Sequence, residues 1–194
     1  MPGILGQKVG MARILNEKGE LIPVSVIKCE PNKIVQIKTT EREGYAAVLS
    51  GFLPKRKPTK TKKFKHVAEF RLPEDSHQKV GDEISVAAFT EQTKVRITGF
   101  SRGRGFSGVI KRHKFSRGPE SHGSHHHRQP GSSGGAVSGT GRVPKGKRFP
   151  GHFGCKRVTK NAVPIMLVDN TENLIVVKGP IPGAAESLVE IRTM

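Results

Sequence analysis

A mainly β fold, an antiparallel β-barrel with a long irregular basic finger inserted between strands, is what this 194-residue chain predicts. Three observations carry the prediction. Short β-branched runs recur at intervals of about 8 to 12 residues, bounded by turn residues, and no segment holds a sustained helical period. One stretch, Gly99 to Gly154, carries eleven Lys and Arg against the single acid Glu120, with fourteen glycines. The β pattern stops before that stretch and resumes after it. The expected division is a globular β domain over residues 1–98 together with 161–194, and a finger over 99–160.

Ile4 to Leu15 and Leu21 to Cys29 are joined by Asn16-Glu17-Lys18-Gly19, a hairpin signal ending in the residue that tolerates positive φ. In the second run Ile22, Val24 and Val26 alternate with Pro23 and Ser25, which suits a strand with one buried face and puts Pro23 at an edge or strand start. Pro31-Asn32 turns the chain into Lys33 to Thr39, where Val35 and Ile37 alternate with Gln36 and Lys38. Glu41-Arg42-Glu43-Gly44 makes another turn before a strand from Tyr45 to Phe52. Val67 to Leu72, Ile84 to Phe89 and Lys94 to Gly99 read as strands, the second entered through the turn Val80-Gly81-Asp82-Glu83. Ala162 to Val168, Leu174 to Lys178 and Ser187 to Arg192 resume the pattern, with turns at Asp169-Asn170 and from Gly179 to Gly183.

Composition sets the function class. A net charge of +18 and a pI near 10.4 lie well outside the range of an ordinary cytosolic enzyme and point to phosphates. Residues 99–160 hold fourteen Lys and Arg against Glu120 alone, so +13 of that charge sits in the finger. With no Trp, one Tyr and 34% hydrophobic residues, the core is modest and rests on Val, Ile and Leu. Cys29 and Cys155 are too far apart in sequence to suggest a disulfide framework, which favours a reducing compartment. The first fifteen residues lack an apolar signal core, and no run approaches the roughly 18 apolar residues of a membrane span. A cytosolic protein is expected.

Two segments concentrate the cations. Between Pro54 and His66, Lys55, Arg56, Lys57, Lys60, Lys62, Lys63 and Lys65 occur with no acid. Such a run is either a solvated loop or a phosphate-contacting one, and the second basic segment favours the latter. The finger cannot build a core of its own, and structureless loops longer than about 15 residues inside a domain are usually functional or disordered. Its cations repel one another, so a polyanion is needed to order it.

Other chemistries fit poorly. Gly103, Gly105 and Gly108 satisfy G-x-G-x-x-G, but Val109 to Phe115 is not read as the helix a dinucleotide turn needs, and no acid follows at the ribose position. The glycines instead let backbone approach a phosphate surface, with Arg102 and Arg104 on either side. His122, His125, His126 and His127, with His152-x-x-Cys155, lack the cysteines or carboxylates that would complete a tetrahedral metal set. Phosphate, ribose and base edges suit these histidines better. The serines near them have no nucleophile elbow and no acid to orient a base. No enzyme, cofactor, metal or small-molecule substrate is expected.

A resemblance then enters on long motifs. GILGQKVGMARIL, PVSVIKCEPNKIVQIKT followed by GYAAVLSGF, then EFRL, VGDEISV, KVRITGFSRGRGFSGVIKRHKF, SHGSHHHRQPGSSG, GRVPKGKRFPGHFG, RVT and NLIVVKGPIPG resemble, in order, the family of bacterial large-subunit ribosomal protein three. The match runs from Gly3 to about Arg192. The resemblance implies a β-barrel seated on the outside of the large subunit and a finger threading through ribosomal RNA to near the peptidyl-transferase centre. It also implies early binding during subunit assembly and contact with neighbouring large-subunit proteins fourteen and nineteen. Gly134 to Gly141 contains no glutamine, with Ser138 standing roughly where some relatives carry an N-methylated one, so that modification does not carry over. Pro144 replaces the bulky aromatic usual in relatives.

The residues expected to meet RNA are accordingly Lys8, the loop residues Lys55, Arg56, Lys57, Lys60, Lys62 and Lys63, and the finger residues Arg102, Arg104, Lys111, Arg112, His113, Lys114, Arg117, His122, His125, His126, His127, Arg128, Arg142, Lys145, Lys147, Arg148, His152, Lys156 and Arg157. By the resemblance, Gly135, Ala136, Val137, Ser138, Gly139 and Thr140 form the tip near the peptidyl-transferase centre. Phe106, Phe115, Phe149 and Phe153 either stack on bases or gather into small apolar clusters at the base of the finger.

Overall fold

Alternating apolar side chains build strands along most of the chain, and a computed structural model describes residues 3–15, 19–74, 78–133 and 141–194. In chain order the elements are β1 Ile4–Leu15, β2 Leu21–Lys28, β3 Asn32–Lys38, α1 Thr40–Glu43, β4 Ala47–Pro54, β5 Phe64–Arg71, β6 Glu83–Ile84, a 3₁₀ turn at Val86–Ala88, β7 Lys94–Phe100, β8 Phe106–Ser107, α2 Val109–His113, β9 Gly151–His152, β10 Arg157–Asp169, β11 Leu174–Lys178 and β12 Leu188–Thr193. The protein is mainly β and its sheets are antiparallel. Contacts divide it into two units, Met1–Ser101 with Arg157–Met194, and Arg102–Lys156.

In the first unit six strands pair in the order β1-β12-β7-β10-β11-β2, and β2 returns to β1, so the ladder closes on itself. A second sheet, ordered β5-β4-β3-β6, contributes to the same interior. Ile4, Ile27, Val95, Ile97, Ile165, Ile175, Val189 and Ile191 from the closed sheet meet Ile34, Val48 and Ile84 from the second. Burying each such side chain contributes about 1.5–3 kcal/mol, which offsets the ordering entropy of the strands. Cys29 lies fully buried beside them, and burial pushes its thiol pKa well up, so it packs as an inert apolar group.

Several strand expectations hold and others need correction. The Asn16-Glu17-Lys18 part of the first turn lies outside the described residues. Pro23 is neither at a sheet edge nor the first residue of β2. It is the third, and its carbonyl accepts from Gly179 N–H just past the end of β11. Ser25 is buried rather than solvent-facing, because its hydroxyl donates to the Gly179 carbonyl at 2.7 Å. In β3 a register shift between Ile34 and Gln36 rotates the strand, so Ile34 enters the core while Val35 is exposed. The expected strand Ile84 to Phe89 shortens to two residues, since the chain coils into the 3₁₀ turn that buries Val86 and leaves Phe89 in the core.

The second unit has little apolar interior. Val109 is its one fully buried apolar side chain among the described residues. Order comes from polar interactions: Phe106 and Ser107 pair with His152 and Gly151, while Arg104 N–H donates to the Phe153 carbonyl and Phe153 N–H donates to the Gly105 carbonyl beside that ladder. Against expectation, a helix does open at the third glycine of G-x-G-x-x-G. Gly108 caps α2, but Lys114 adopts the left-handed conformation and ends the helix after five residues. Two glycines are sterically required. A Cβ on Gly118 would collide with the His126 carbonyl oxygen, and one on Gly154, where φ is +80°, with that of Arg102.

Candidate nucleic-acid interface

In the first unit the hairpin between β4 and β5 extends into a loop closed by Lys55 N–H donating to the Lys63 carbonyl, with Thr59 and Lys62 bonded at its end. Lys55, Arg56, Lys57, Lys60, Lys62, Lys63 and Lys65 are all exposed, and none of these side chains makes an ion pair among the described residues. At the loop's root His66 is drawn below its ordinary pKa by burial and by Lys65. On one side the loop borders a hollow of about 600 Å³ lined by Pro31, Pro54, Pro58 and Phe64 with Lys33, Lys55, Lys60 and Lys63 among its rim. Apolar rings below lysines suit a sugar or base whose phosphate lies above. Lys8 is differently employed: its ammonium donates to the Ile181 and Gly183 carbonyls, both at 3.1 Å.

In the second unit Arg102, Arg104, Lys111, Lys114, Arg128, Arg142, Lys145, Lys147 and Arg148 stand exposed, without an acidic partner among the described residues. Arg117 reaches Glu120 at 3.4 Å, an exposed pair of small energetic weight. Other members of the expected set are partly spent on local order. Arg112 donates to the Phe149 carbonyl at 2.7 Å, and a His113 ring nitrogen lies 3.2 Å from that oxygen. A His127 ring nitrogen meets the Pro119 carbonyl and one from His126 meets Gln129. His122 and His125 are exposed, and His152 stacks edge-on against Phe106 with ring centroids 5.9 Å apart. Among the described residues no three His, Cys, Asp or Glu converge on a metal position. Lys156 is exposed. Gly135, Ala136, Val137, Ser138, Gly139 and Thr140 lie outside the described residues.

Of the four phenylalanines in the insertion, Phe115 is half-buried, with its ring centroid 6.1 Å from that of His113. Phe106 is 72% exposed, and Phe149 and Phe153 are also open to solvent. None of these three joins an apolar core cluster among the described residues. Arg157 belongs to the first unit, not the second. It opens β10, pairs with Phe100 across the ladder and reaches Glu190 at 2.7 Å, because strand pairing continues through Phe100 and Arg157 into the range 99–160.

Two cations absent from the expected set, Arg96 and Arg192, face each other directly across β7 and β12. Burial pulls the Arg192 pKa below the ordinary guanidinium range, as do the like charges of Arg157 and Arg96, while Glu190 opposes them. Alternation in KVRIT and EIRT marks both arginines as outward-facing, but nothing local in sequence tells that β7 and β12 are neighbours.

The class these features define is a strongly basic antiparallel β protein whose cations stand exposed on a hairpin loop and on a core-poor insertion. No protein-family model matches the chain. Curated relatives do. It is 44% identical over 203 residues to the large ribosomal subunit protein uL3 of Lactobacillus delbrueckii subsp. bulgaricus, covering 98% of this chain and 96% of the relative. The uL3 protein of Oceanobacillus iheyensis is 44% identical over 201 residues, covering 97% and 95%, and that of Prochlorococcus marinus 43% over 202, covering 98% and 93%. The chain belongs to the family of large ribosomal subunit protein uL3.

Proposed function

We propose that this chain is a structural, non-enzymatic component of the large ribosomal subunit in the cytoplasm, holding ribosomal RNA through the β4–β5 loop and the inserted segment. The observation that carries the reading is the placement of charge: exposed cations without acidic partners among the described residues, gathered where little apolar surface exists to order the chain. Ordering a residue costs about 1–2 kcal/mol, and forked phosphate contacts with counterion release supply what Val109 alone cannot. The antiparallel barrel then sits on the subunit while the insertion extends as a finger, with residues 135–140 at its tip approaching the peptidyl-transferase centre. Binding early in assembly, beside large-subunit proteins fourteen and nineteen, belongs to the same reading. Sucrose-gradient fractionation of a lysate tests it: the chain co-sediments with the large subunit at moderate salt. Spread over any nucleic acid, or confinement to the top of the gradient, overturns it.

A further inference from the structure

We infer that the outward face of β12, β7 and β10 holds one phosphodiester of RNA in the pocket between Arg96, Arg157 and Arg192, a third RNA-binding surface separate from the loop and the insertion. This rests on the RNA reading above and adds a site to it. The pocket, about 380 Å³, is lined by those three arginines with Thr98, Thr159 and Asn161, and no apolar side chain enters it. Its geometry follows from period 2: Ile97 and Ile191 point into the core, which turns Arg96, Thr98 and Arg192 outward on adjacent strands.

The arrangement is costly without an anion. Arg96 and Arg192 are direct cross-strand partners, and like charges at that spacing destabilise a sheet. Glu190 is the one acid at the site among the described residues and is already engaged by Arg157 at 2.7 Å. Arg192 is fixed from behind, over the Phe70 ring at 4.8 Å and donating to the Glu69 carbonyl at 3.0 Å. Arg96 has no hydrogen-bond or ion-pair partner among the described residues. The Thr98 and Thr159 hydroxyls, 3.0 Å apart, add neutral donors at the floor. Phe100 continues the same face as Arg96 and Thr98 and is 55% exposed. A phosphate among guanidiniums with an aromatic face beside it matches a nucleotide better than the carboxylate of an acidic protein segment.

The test uses the full chain and in vitro transcribed large-subunit ribosomal RNA, titrated over a range of salt. Arg96→Gln weakens binding about tenfold, as removal of one charge-assisted hydrogen bond should, and lowers the log–log salt slope by about 0.7 to 0.9. The free variant keeps its Tm or gains, because the like-charge pair is gone. Phe100→Leu weakens binding with the slope unchanged. Unchanged affinity and slope in Arg96→Gln, while Lys145→Ala/Lys147→Ala/Arg148→Ala reduces both, overturns this site and leaves the RNA reading standing. Failure of the wild-type chain to bind overturns both. A lowered Tm with unchanged affinity makes Arg96 a support of the sheet, and absence from assembled subunits with intact RNA affinity assigns the pocket to a protein carboxylate; either outcome overturns the inference.

Discussion

Lys38 shows how a cation behaves here when it does have a partner. Its ammonium meets Glu69 at 2.5 Å and the Tyr45 hydroxyl at 2.6 Å. The hydrogen bond to Glu69, then that to Tyr45, pushes the Lys38 pKa up to about 12, and the same bond to Lys38 holds the Glu69 carboxyl below its ordinary value. The stability contributed by Glu69 is therefore present above the ordinary carboxylate pKa and lost as pH falls through the depressed one. That from Lys38 is complete below about 10.5 and lost as pH rises through about 12. Glu69→Gln flattens both limbs of a stability-versus-pH curve measured by chemical denaturation; limbs identical to wild type would show that the pair contributes nothing. Arg96, the loop lysines and most insertion arginines lack any such partner among the described residues, and that contrast separates cations that hold the fold from cations offered to a ligand.

At the scale of elements, the strands share a core and the inserted segment does not. Limited proteolysis of the free protein therefore cuts between Arg102 and Lys147 and spares Ile4 to Thr98; protection of the insertion without RNA would contradict this. Much of the strand layout is legible in the sequence because alternation and turn residues are local signals. β1, β2 and β11 begin where their apolar runs begin and end within a residue of them. What escapes depends on partners distant in sequence. The bulge at Val35 arises from pairing with β4, and Ser25 is buried because Gly179 supplies its acceptor. The helix after Gly108 escapes for a different reason, since five residues are too few to show a period. The candidate interface obeys the same limit. Charge clustering marks the loop and the insertion, but the meeting of Arg96 with Arg192 needs the β7–β12 ladder.

Across the whole molecule, +18 on 194 residues is more than an isolated β domain has use for. Changing Lys145, Lys147 and Arg148 together to Ala weakens binding to large-subunit RNA and lowers the salt slope by about 0.7 to 0.9 for each phosphate left without its cation; an unaltered slope would mean these side chains face solvent in the complex. The ladder between β7 and β10 carries one further meaning. Phe100 pairs directly with Arg157, so everything between them is, topologically, the turn of a single β-hairpin. Closing a flexible turn costs only about 0.6 kcal/mol more for each doubling of its length. Stretching a four-residue turn to the span from Arg102 to Lys156 is nearly four doublings, about 2 kcal/mol. A β domain can thus host a long RNA-seeking appendage for roughly the stability that one buried aliphatic side chain provides.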